Sequence, residues 1–203
     1  ATINLGPEIT MNGRWDFAGG GIRLNNCIFN QEVNLIKTGT MNDESNGNNT
    51  FMKPLSLTNY SSGFFLFART TKDIFNDDVT TFSNGSGIIH LAYNDSSTQF
   101  NGNVIVNSSG SGGIRFGGGN GVAHLAAGKS LSIGTVGFTS GELNLRKFRQ
   151  VDNTPINLAV SAGTGAIYFN AGSIFNGTVN VSFPQMYLNG TTFNAPISLE
   201  KNG

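Results

Sequence analysis

Charge and reactive side chains are scarce in this sequence of 203 residues. Asp, Glu, Lys and Arg together make up 12% of it, about half the usual share in globular proteins, and the net charge is zero. No long basic run is present that would attract nucleic acid. No apolar run approaches the roughly 18 residues that a membrane span requires. We therefore expect no nucleic-acid partner and no membrane span in this segment.

Cysteine and histidine are scarce as well. Cys27 is the single cysteine, so the chain contains no disulfide framework, and we expect this residue to fill space in the core. The two histidines, His90 and His124, are predicted to point outward on separate coils without a third ligand, which disfavours a zinc site. The sequence therefore predicts no resident metal and no cofactor.

Acidic residues occur in two small clusters, Asp43-Glu44 and Asp73 with Asp77-Asp78. Neither cluster has the spaced ligands of a calcium-binding loop, so we interpret both as solvated turns. Asp77 and Asp78 also make a poor glycosidase pair, because they alternate sides of a strand or share a turn, whereas that chemistry needs two carboxylates about 5–10 Å apart across a cleft. The nucleophile motif Gly-x-Ser-x-Gly is absent too. We predict that the chain is not an enzyme.

Short β-strands dominate the pattern of the sequence. Apolar residues recur in pairs two positions apart, and no window has the spacing of an amphipathic helix. One set of pairs is Trp15/Phe17, Val33/Leu35, Leu55/Leu57, Val79/Thr81, Val104/Val106, Leu131/Ile133, Ile156/Leu158, Val179/Val181 and Ile197/Leu199. A second set is Ile3/Leu5, Ile22/Leu24, Phe64/Leu66, Ile89/Leu91, Ile114/Phe116, Leu143/Leu145, Ile167/Phe169 and Met186/Leu188. The segment 42–49 has no member of the second set, so we expect a loop there.

A large apolar anchor stands four positions before most pairs of the first set, and Asn usually follows it. The shared phrase is Phe-Asn-x-x-Val-x-Leu. The anchors are Met11, Phe29, Phe51, Phe75, Phe100, Phe175 and Phe193, with Ala127 and Asp152 in the same place in two other coils. The adjoining residues Asn12, Asn30, Asn76, Asn101, Asn176 and Asn194 are predicted to form an amide ladder.

A short phrase that returns at this interval is typical of a solenoid. Propeller blades need four strands in about 40 residues, and the leucine-rich consensus is absent. We therefore predict an all-β fold, a right-handed single-stranded parallel β-helix of about nine coils with 18–27 residues each. Residues of one type then stack in columns, because each coil pairs with the equivalent strands above and below it.

The first 39 residues resemble the last 39, displaced by 164 positions without a gap, and ten of the pairs are identical. We interpret residues 1–203 as a single β-helix segment, with one repeat at 1–164 and the first two coils of the next repeat at 165–203. Adjacent repeats of the same polypeptide are then the expected partners. Equivalent coils close on Lys37 and Lys201, which we predict in exposed turns. An isopeptide bond from such a lysine would need a buried carboxyl group that the sequence does not reveal.

Outward positions of the second set of strands carry aromatic and cationic side chains. This contact stripe consists of Arg23, Phe65, His90, Arg115, Tyr168 and Tyr187. Such a stripe can stack on sugar rings or dock onto a neighbouring chain, although β propensity alone also places aromatics there. The candidate partners are a glycan or other cell-surface ligand and a lateral homo-oligomer.

The Phe-Asn-x-x-Val-x-Leu coils and their Lys-x-Gly closures resemble the repeat regions of very large bacterial surface proteins. These are β-helical adhesins of the filamentous-haemagglutinin kind and repetitive proteins exported by type IX secretion. The resemblance implies an extracellular stalk or filament at the bacterial surface that serves attachment, motility or contact with prey or host cells. It carries over no catalytic residue. The alternative is a carbohydrate-binding or polysaccharide-cleaving β-helix of the lyase or tailspike type.

Overall fold

The computed structural model describes residues 1–160 and 162–202, and in those residues it contains 27 β-strands and no helix. The strands form three faces of a parallel β-helix, and each of nine coils contributes one strand to each face. The fold class predicted from the sequence is confirmed. Within the described residues, no helix has the length and apolar character needed to cross a membrane.

Face A contains the first strand of each coil. Its strands are Thr2–Leu5, Gly21–Leu24, Asp43–Glu44, Phe65–Leu66, Ile88–Leu91, Gly113–Phe116, Glu142–Leu145, Ala166–Phe169 and Gln185–Leu188. The first two strands pair with each other, and the other seven form a separate sheet. The loop predicted at 42–49 is wrong in part, because this segment supplies the strand Asp43–Glu44. A carboxylate at the inward position hides the strand from a search for apolar pairs.

One register on face A also differs from the prediction. Phe65 pairs with Ile89 and is fully buried, whereas the sequence pattern predicts it outward. The cause is the uninterrupted apolar run at 64–67, which has no alternation to show which residues face the core. Phe65 therefore belongs to the core and not to the contact stripe.

Face B contains the second strand of each coil and the anchor column. Its strands are Ile9–Met11, Cys27–Phe29, Thr50–Phe51, Ile74–Phe75, Thr98–Phe100, Ala123–Leu125, Phe148–Gln150, Ile174–Phe175 and Thr192–Phe193. Leu125 and Gln150, rather than Ala127 and Asp152, align with the anchors of the neighbouring coils. The prediction failed there because two extra residues separate the anchor from the next strand.

The anchor rings form a nearly continuous stack along the axis. Phe29 and Phe51 lie 4.9 Å apart with nearly parallel rings, and Phe75 and Phe100 lie 4.8 Å apart. Where anchors are missing, Phe116 and Phe148 connect the stack edge-on at 5.3 Å. Aromatic pairs in such geometries stabilise a fold beyond the area that they bury. The column therefore ties all coils into one core.

Face C contains the third strand of each coil. Its strands are Trp15–Gly19, Val33–Lys37, Leu55–Asn59, Val79–Ser83, Val104–Ser108, Leu131–Phe138, Ile156–Ala159, Val179–Phe183 and Ile197–Lys201. All nine apolar pairs of the first set fall in these strands, and they stack in one nine-stranded sheet. The prediction succeeded here because alternation of inward apolar and outward polar residues fixes the register of a strand.

The predicted Asn ladder forms as three separate pairs. The amide Nδ2 of Asn30 donates to Asn12 Oδ1 at 2.7 Å, and that of Asn101 donates to Asn76 Oδ1 at 2.9 Å. A third bond joins Asn194 to Asn176, also at 2.7 Å. The ladder breaks at the coils that have another residue after the anchor.

Coils 1 and 2 (residues 1–19 and 20–39) stack in the same way as coils 8 and 9 (165–183 and 184–202). The pairs Trp15–Val33 and Met11–Phe29 recur 164 positions later as Val179–Ile197 and Phe175–Phe193. The turn conformation recurs as well, with a φ of 55° at Asn26 and 69° at Gly190. Residue 26 and residue 190 are also 164 positions apart. The duplicated sequence therefore folds into duplicated structure.

Candidate functional site: the outer surface of face A

The outward positions of face A form a row in two parts, one on each of its sheets. Strand pairing aligns Glu44, Leu66, His90, Arg115, Asn144, Tyr168 and Tyr187, and aligns Asn4 with Arg23 in the separate two-stranded sheet. Five of the six residues of the predicted contact stripe lie in this row, and Phe65 is the exception. Leu66 takes its place. Since the strands are parallel and in register, side chains that are distant in sequence become neighbours along the axis.

His90 lies in the row but is covered. Tyr93 packs edge-on against its ring at 4.9 Å, and His90 Nε2 lies 3.0 Å from the carbonyl oxygen of Gly117. Burial, which disfavours the charged imidazolium, lowers the pKa of His90 to about 4. The ring is therefore neutral near pH 7 and holds the turn at Gly117. This cover divides the contact stripe into two accessible parts.

The part toward the C-terminus carries a stacked tyrosine pair. The rings of Tyr168 and Tyr187 lie 4.5 Å apart and nearly parallel, and Tyr187 is 46% exposed. Partial burial, and after it the neighbouring Tyr187, raises the pKa of the Tyr168 hydroxyl above its usual value. The hydroxyl of Tyr187 donates to Gln185 Oε1 at 3.1 Å. The pair offers a flat aromatic surface beside polar groups.

A shallow groove of about 320 Å³ adjoins the tyrosine pair. Its lining includes Ser111, Arg115, Ser140, Glu142, Thr164 and Tyr168. Arg115 forms an ion pair with Glu142 from the next coil. Glu142 starts its strand and lies beside the outward row, a placement that the sequence pattern does not reveal. The groove therefore presents one guanidinium, one carboxylate and several hydroxyl groups.

The part toward the N-terminus is a second groove, of about 350 Å³. It lies where the ladder of face A is interrupted, and Arg23, Glu44 and Arg69 contribute its charged lining. Nη1 of Arg69 lies 2.9 Å from Glu44 Oε2. Both side chains are substantially exposed, so water screens the pair and it contributes little stability. Arg69 comes from a turn, which is why the strand pattern missed it.

The acidic clusters are held by structural contacts. Asp78 Oδ1 accepts hydrogen bonds from the backbone N–H of Asn103 at 2.8 Å and from its side-chain amide at 3.1 Å, and Asp77 Oδ1 accepts one from Asp78 N–H at 2.8 Å. The described residues contain no group of three or more His, Cys, Asp or Glu side chains that could hold a metal ion. Asp77 and Asp78 therefore stabilise turns between coils, in agreement with their interpretation as turn residues.

Asp43 and Lys37 differ most from the prediction, because both are buried. Lys37 Nζ lies 2.9 Å from Asp43 Oδ2, and both side chains are at most 2% exposed. The same Nζ donates to Gly39 O at 2.8 Å and to Met41 O at 2.6 Å. Asp43 Oδ2 makes no hydrogen bond of good geometry, so its contact with Lys37 is an ion pair. These acceptors suit an ammonium rather than the neutral amine that an isopeptide bond requires.

Asp73, predicted in a solvated turn, is also buried. Its Oδ1 accepts hydrogen bonds from Asn49 N–H and Nδ2, both at 2.9 Å, and its Oδ2 accepts one from Ala68 N–H at 2.8 Å. Asn49 Oδ1 in turn accepts from Cys27 N–H at 3.1 Å. Burial outweighs these hydrogen bonds and raises the pKa of Asp73 to about 7. The bonds connect coils 2, 3 and 4 through polar groups inside the core.

Together, these features define a parallel β-helix with polar residues at some inner corners and, on one outer face, two shallow grooves that each contain a charged pair. Comparison with protein-family models, with curated proteins and with solved structures returned no match. The duplicated coils and these two grooves are therefore the features that bear on the function.

Proposed function

We propose that this chain is a structural repeat module of an extracellular bacterial surface filament or adhesin stalk. It acts as a rigid spacer for attachment, motility or contact with prey or host cells, and it catalyses no reaction. In this proposal, residues 1–164 form one repeat and residues 165–202 belong to the next. Neighbouring repeats are the principal partners.

The observation that carries the proposal is the equivalence of coils 1–2 and coils 8–9. Even a side-chain contact recurs, since the Asn12–Asn30 and Asn176–Asn194 bonds have the same length of 2.7 Å. Because the coils repeat with a period of seven and share one continuous core, such a chain can be lengthened by whole repeats. In stacked repeats each unit contacts only its neighbours, so length can grow without redesign of the core.

The same architecture supports stiffness. Faces B and C run without interruption through nine strands, and the core extends through every coil. The terminal strands of each face pair on one side only, and such edges promote association with other strands. We therefore expect the isolated segment to self-associate, and we interpret its ends as joints with further coils.

The extracellular location rests on composition and on the resemblance to surface repeats. The surface is polar but weakly charged, and the single cysteine is buried in the core. Antibodies against the segment should label intact, unpermeabilised cells of the source organism. Labelling that requires permeabilisation would contradict the location.

The spacer role can be tested by adding one repeat. A tandem protein with residues 1–164 placed before the full chain should be longer by about 34 Å, because seven coils each add roughly 4.8 Å. Small-angle X-ray scattering of monomeric fractions measures this increment directly. An increase well below 20 Å would mean that the repeats fold back on each other, and the spacer role would be refuted.

A second candidate function is carbohydrate binding, with polysaccharide cleavage as its enzymatic form. The Tyr168–Tyr187 stack beside the Arg115–Glu142 groove favours it, since flat aromatic surfaces stack on sugar rings. A panel of polysaccharides should then show binding that Tyr187→Ala weakens and that Tyr60→Ala, on another exposed aromatic, leaves unchanged. Turnover abolished by Glu142→Gln would instead favour an enzyme over the structural module.

A further inference from the structure

The exposed end of coil 9 repeats a surface that is buried inside the molecule. Leu24 and Leu35 of coil 2 are fully buried, whereas their equivalents Leu188 and Leu199 are 50% and 42% exposed. Lys37 is fully buried, whereas its equivalent Lys201 is exposed. The residues are the same, and the difference is that coil 3 (residues 40–61) covers coil 2.

Coil 3 covers coil 2 through a defined set of contacts. Phe51 stacks on Phe29 at 4.9 Å, and Leu55 and Leu57 pair with Val33 and Leu35 on face C. The backbone continues the ladders, for example from Met52 N–H to Phe29 O at 2.9 Å. These contacts use side chains that coil 9 also possesses, as Phe193, Ile197 and Leu199.

The contact with Lys37 is the most selective of the set. Asp43 lies 2.9 Å from its Nζ and supplies the only carboxylate that is paired with this lysine in the described residues. Lys201 is the last residue of the final strand of face C and pairs with Phe183. It therefore occupies the same position in coil 9 as Lys37 occupies in coil 2. Covering Lys201 without a carboxylate would bury an uncompensated charge, which is strongly unfavourable.

We propose that the exposed end of coil 9 is a docking surface for a β-helix coil of the same kind as coil 3. The occupant carries Asp at the first inward position, Phe eight residues later and Leu-x-Leu after four more, and its carboxylate neutralises Lys201. This inference rests on the proposed function, because it names the coil that a neighbouring repeat must present at the joint.

The first coil of a second copy does not meet this description. It has Ile3 where coil 3 has Asp43, because Ile3 aligns with Ile22 at the inward position of face A. An Ile there would leave the ammonium of Lys201 without a counter-charge. Coil 1 is equivalent to coil 8, and coil 8 stacks on coil 7. The surface therefore selects a third-coil sequence over a simple head-to-tail contact between identical segments.

The proposal can be tested by extending the full chain after residue 203. One variant receives a second copy of residues 40–86, which comprise coils 3 and 4, so that the new coil 3 is itself covered. A matched variant carries the same addition with Asp43→Asn in the added copy only. A third receives residues 1–39. Brief acetylation followed by peptide mass spectrometry measures the reactivity of Lys201, with the buried Lys37 as an internal reference.

We expect Lys201 to react at least ten-fold more slowly after addition of coils 3 and 4, at a rate close to that of Lys37. The added Asp43→Asn variant and the addition of coils 1 and 2 should leave Lys201 much more reactive. Equal protection by all three additions, or protection by none, would overturn the proposal. If Lys37 remains protected while Lys201 does not respond, only the docking inference fails. If Lys37 reacts rapidly in the unextended chain, the buried coil joint is absent and the structural module fails as well.

Discussion

Coil 2 and coil 9 have closely related sequences in different surroundings. Lys37, Leu35 and Phe29 are buried in coil 2, and the equivalent Lys201, Leu199 and Phe193 are exposed or only partly buried in coil 9. The backbone pairing toward the preceding coil is the same in both. The comparison shows that burial in this fold depends on the next coil rather than on the residues of the coil itself.

The largest contrast is expected between Lys37→Ala and Lys201→Ala. The first change leaves Asp43 buried without a counter-charge and should lower the free energy of unfolding by about 3–5 kcal/mol. The second removes an exposed side chain and should change it by less than about 0.5 kcal/mol. Urea denaturation followed by circular dichroism measures both. Similar losses in the two variants would show that Lys37 is not in a buried ion pair.

A smaller contrast is expected between Phe29→Ala and Phe193→Ala. Phe29 is enclosed between Trp15 at 5.4 Å and Phe51 at 4.9 Å, so its removal should cost about 3–5 kcal/mol. Phe193 stacks on Phe175 at 5.4 Å but has no coil above it. We expect a loss that is smaller by roughly 2 kcal/mol, measured by the same urea titration. A larger loss for Phe193 would mean that the end of the stack is more tightly packed than its interior.

The coils that cover coil 2 also contain a buried titratable group, Asp73 of coil 4. Asp73 has a pKa raised to about 7, so its folded form binds more protons than its unfolded form between about pH 4 and pH 7. Its contribution to stability is present below about pH 4 and is lost as the pH rises through about 7. His90, with a pKa lowered to about 4, acts in the opposite sense, since its contribution is lost as the pH falls from about 6.5 to 4.

Replacing Asp73 should therefore expose the contribution of His90. Asp73→Asn should become more stable as the pH rises from 4 to 6.5, by at most about 1.4 kcal/mol per pH unit, whereas the parent should change less. Denaturation at several pH values measures the two slopes, and the double variant with His90→Asn is the control. A parent and a single variant with equal slopes would contradict the raised pKa of Asp73.

The smallest effects on stability are expected for side-chain contacts that coils 2 and 9 make with the coil before them. Asn30→Ala and Asn194→Ala each remove an exposed 2.7 Å amide bond to the preceding coil, so the next coil has little influence. Both changes should cost roughly 0.5–1.5 kcal/mol, and by similar amounts. Thermal unfolding of the two variants measures the losses. Markedly different values would show that the duplicated contacts are not energetically equivalent.

The sequence predicts all nine apolar pairs of face C, and it predicts faces A and B only in part, for physical reasons. On face C, apolar and polar residues alternate, so the register follows from the pattern. At Phe65 the alternation is lost in an apolar run, and at Leu125 and Gln150 a longer turn shifts the anchor. None of these three positions could be assigned without the pairing of neighbouring coils.

The buried ion pair of Lys37 and Asp43 could not be predicted from the sequence, for a different reason. Lysine is almost never fully buried unless it is paired, so Lys37 by itself predicts an exposed turn. Its partner Asp43 belongs to the next coil, where it replaces an apolar residue at an inward position. Only the stacking of the two coils reveals that the buried charges of Lys37 and Asp43 compensate each other. The two grooves were missed in part for the same reason, because Arg69 and Glu142 reach them from neighbouring coils.

Hydrogen exchange tests most directly whether the duplicated coils differ only in what covers them. In the chain as it stands, we expect slow exchange of backbone amides in Val33–Lys37 and fast exchange in the equivalent strand Ile197–Lys201. After addition of residues 40–86 at the C-terminus, the protection of Ile197–Lys201 should approach that of Val33–Lys37. Equal protection of the two strands without the addition, or no change after it, would contradict the description of coil 9 as an uncovered copy of coil 2.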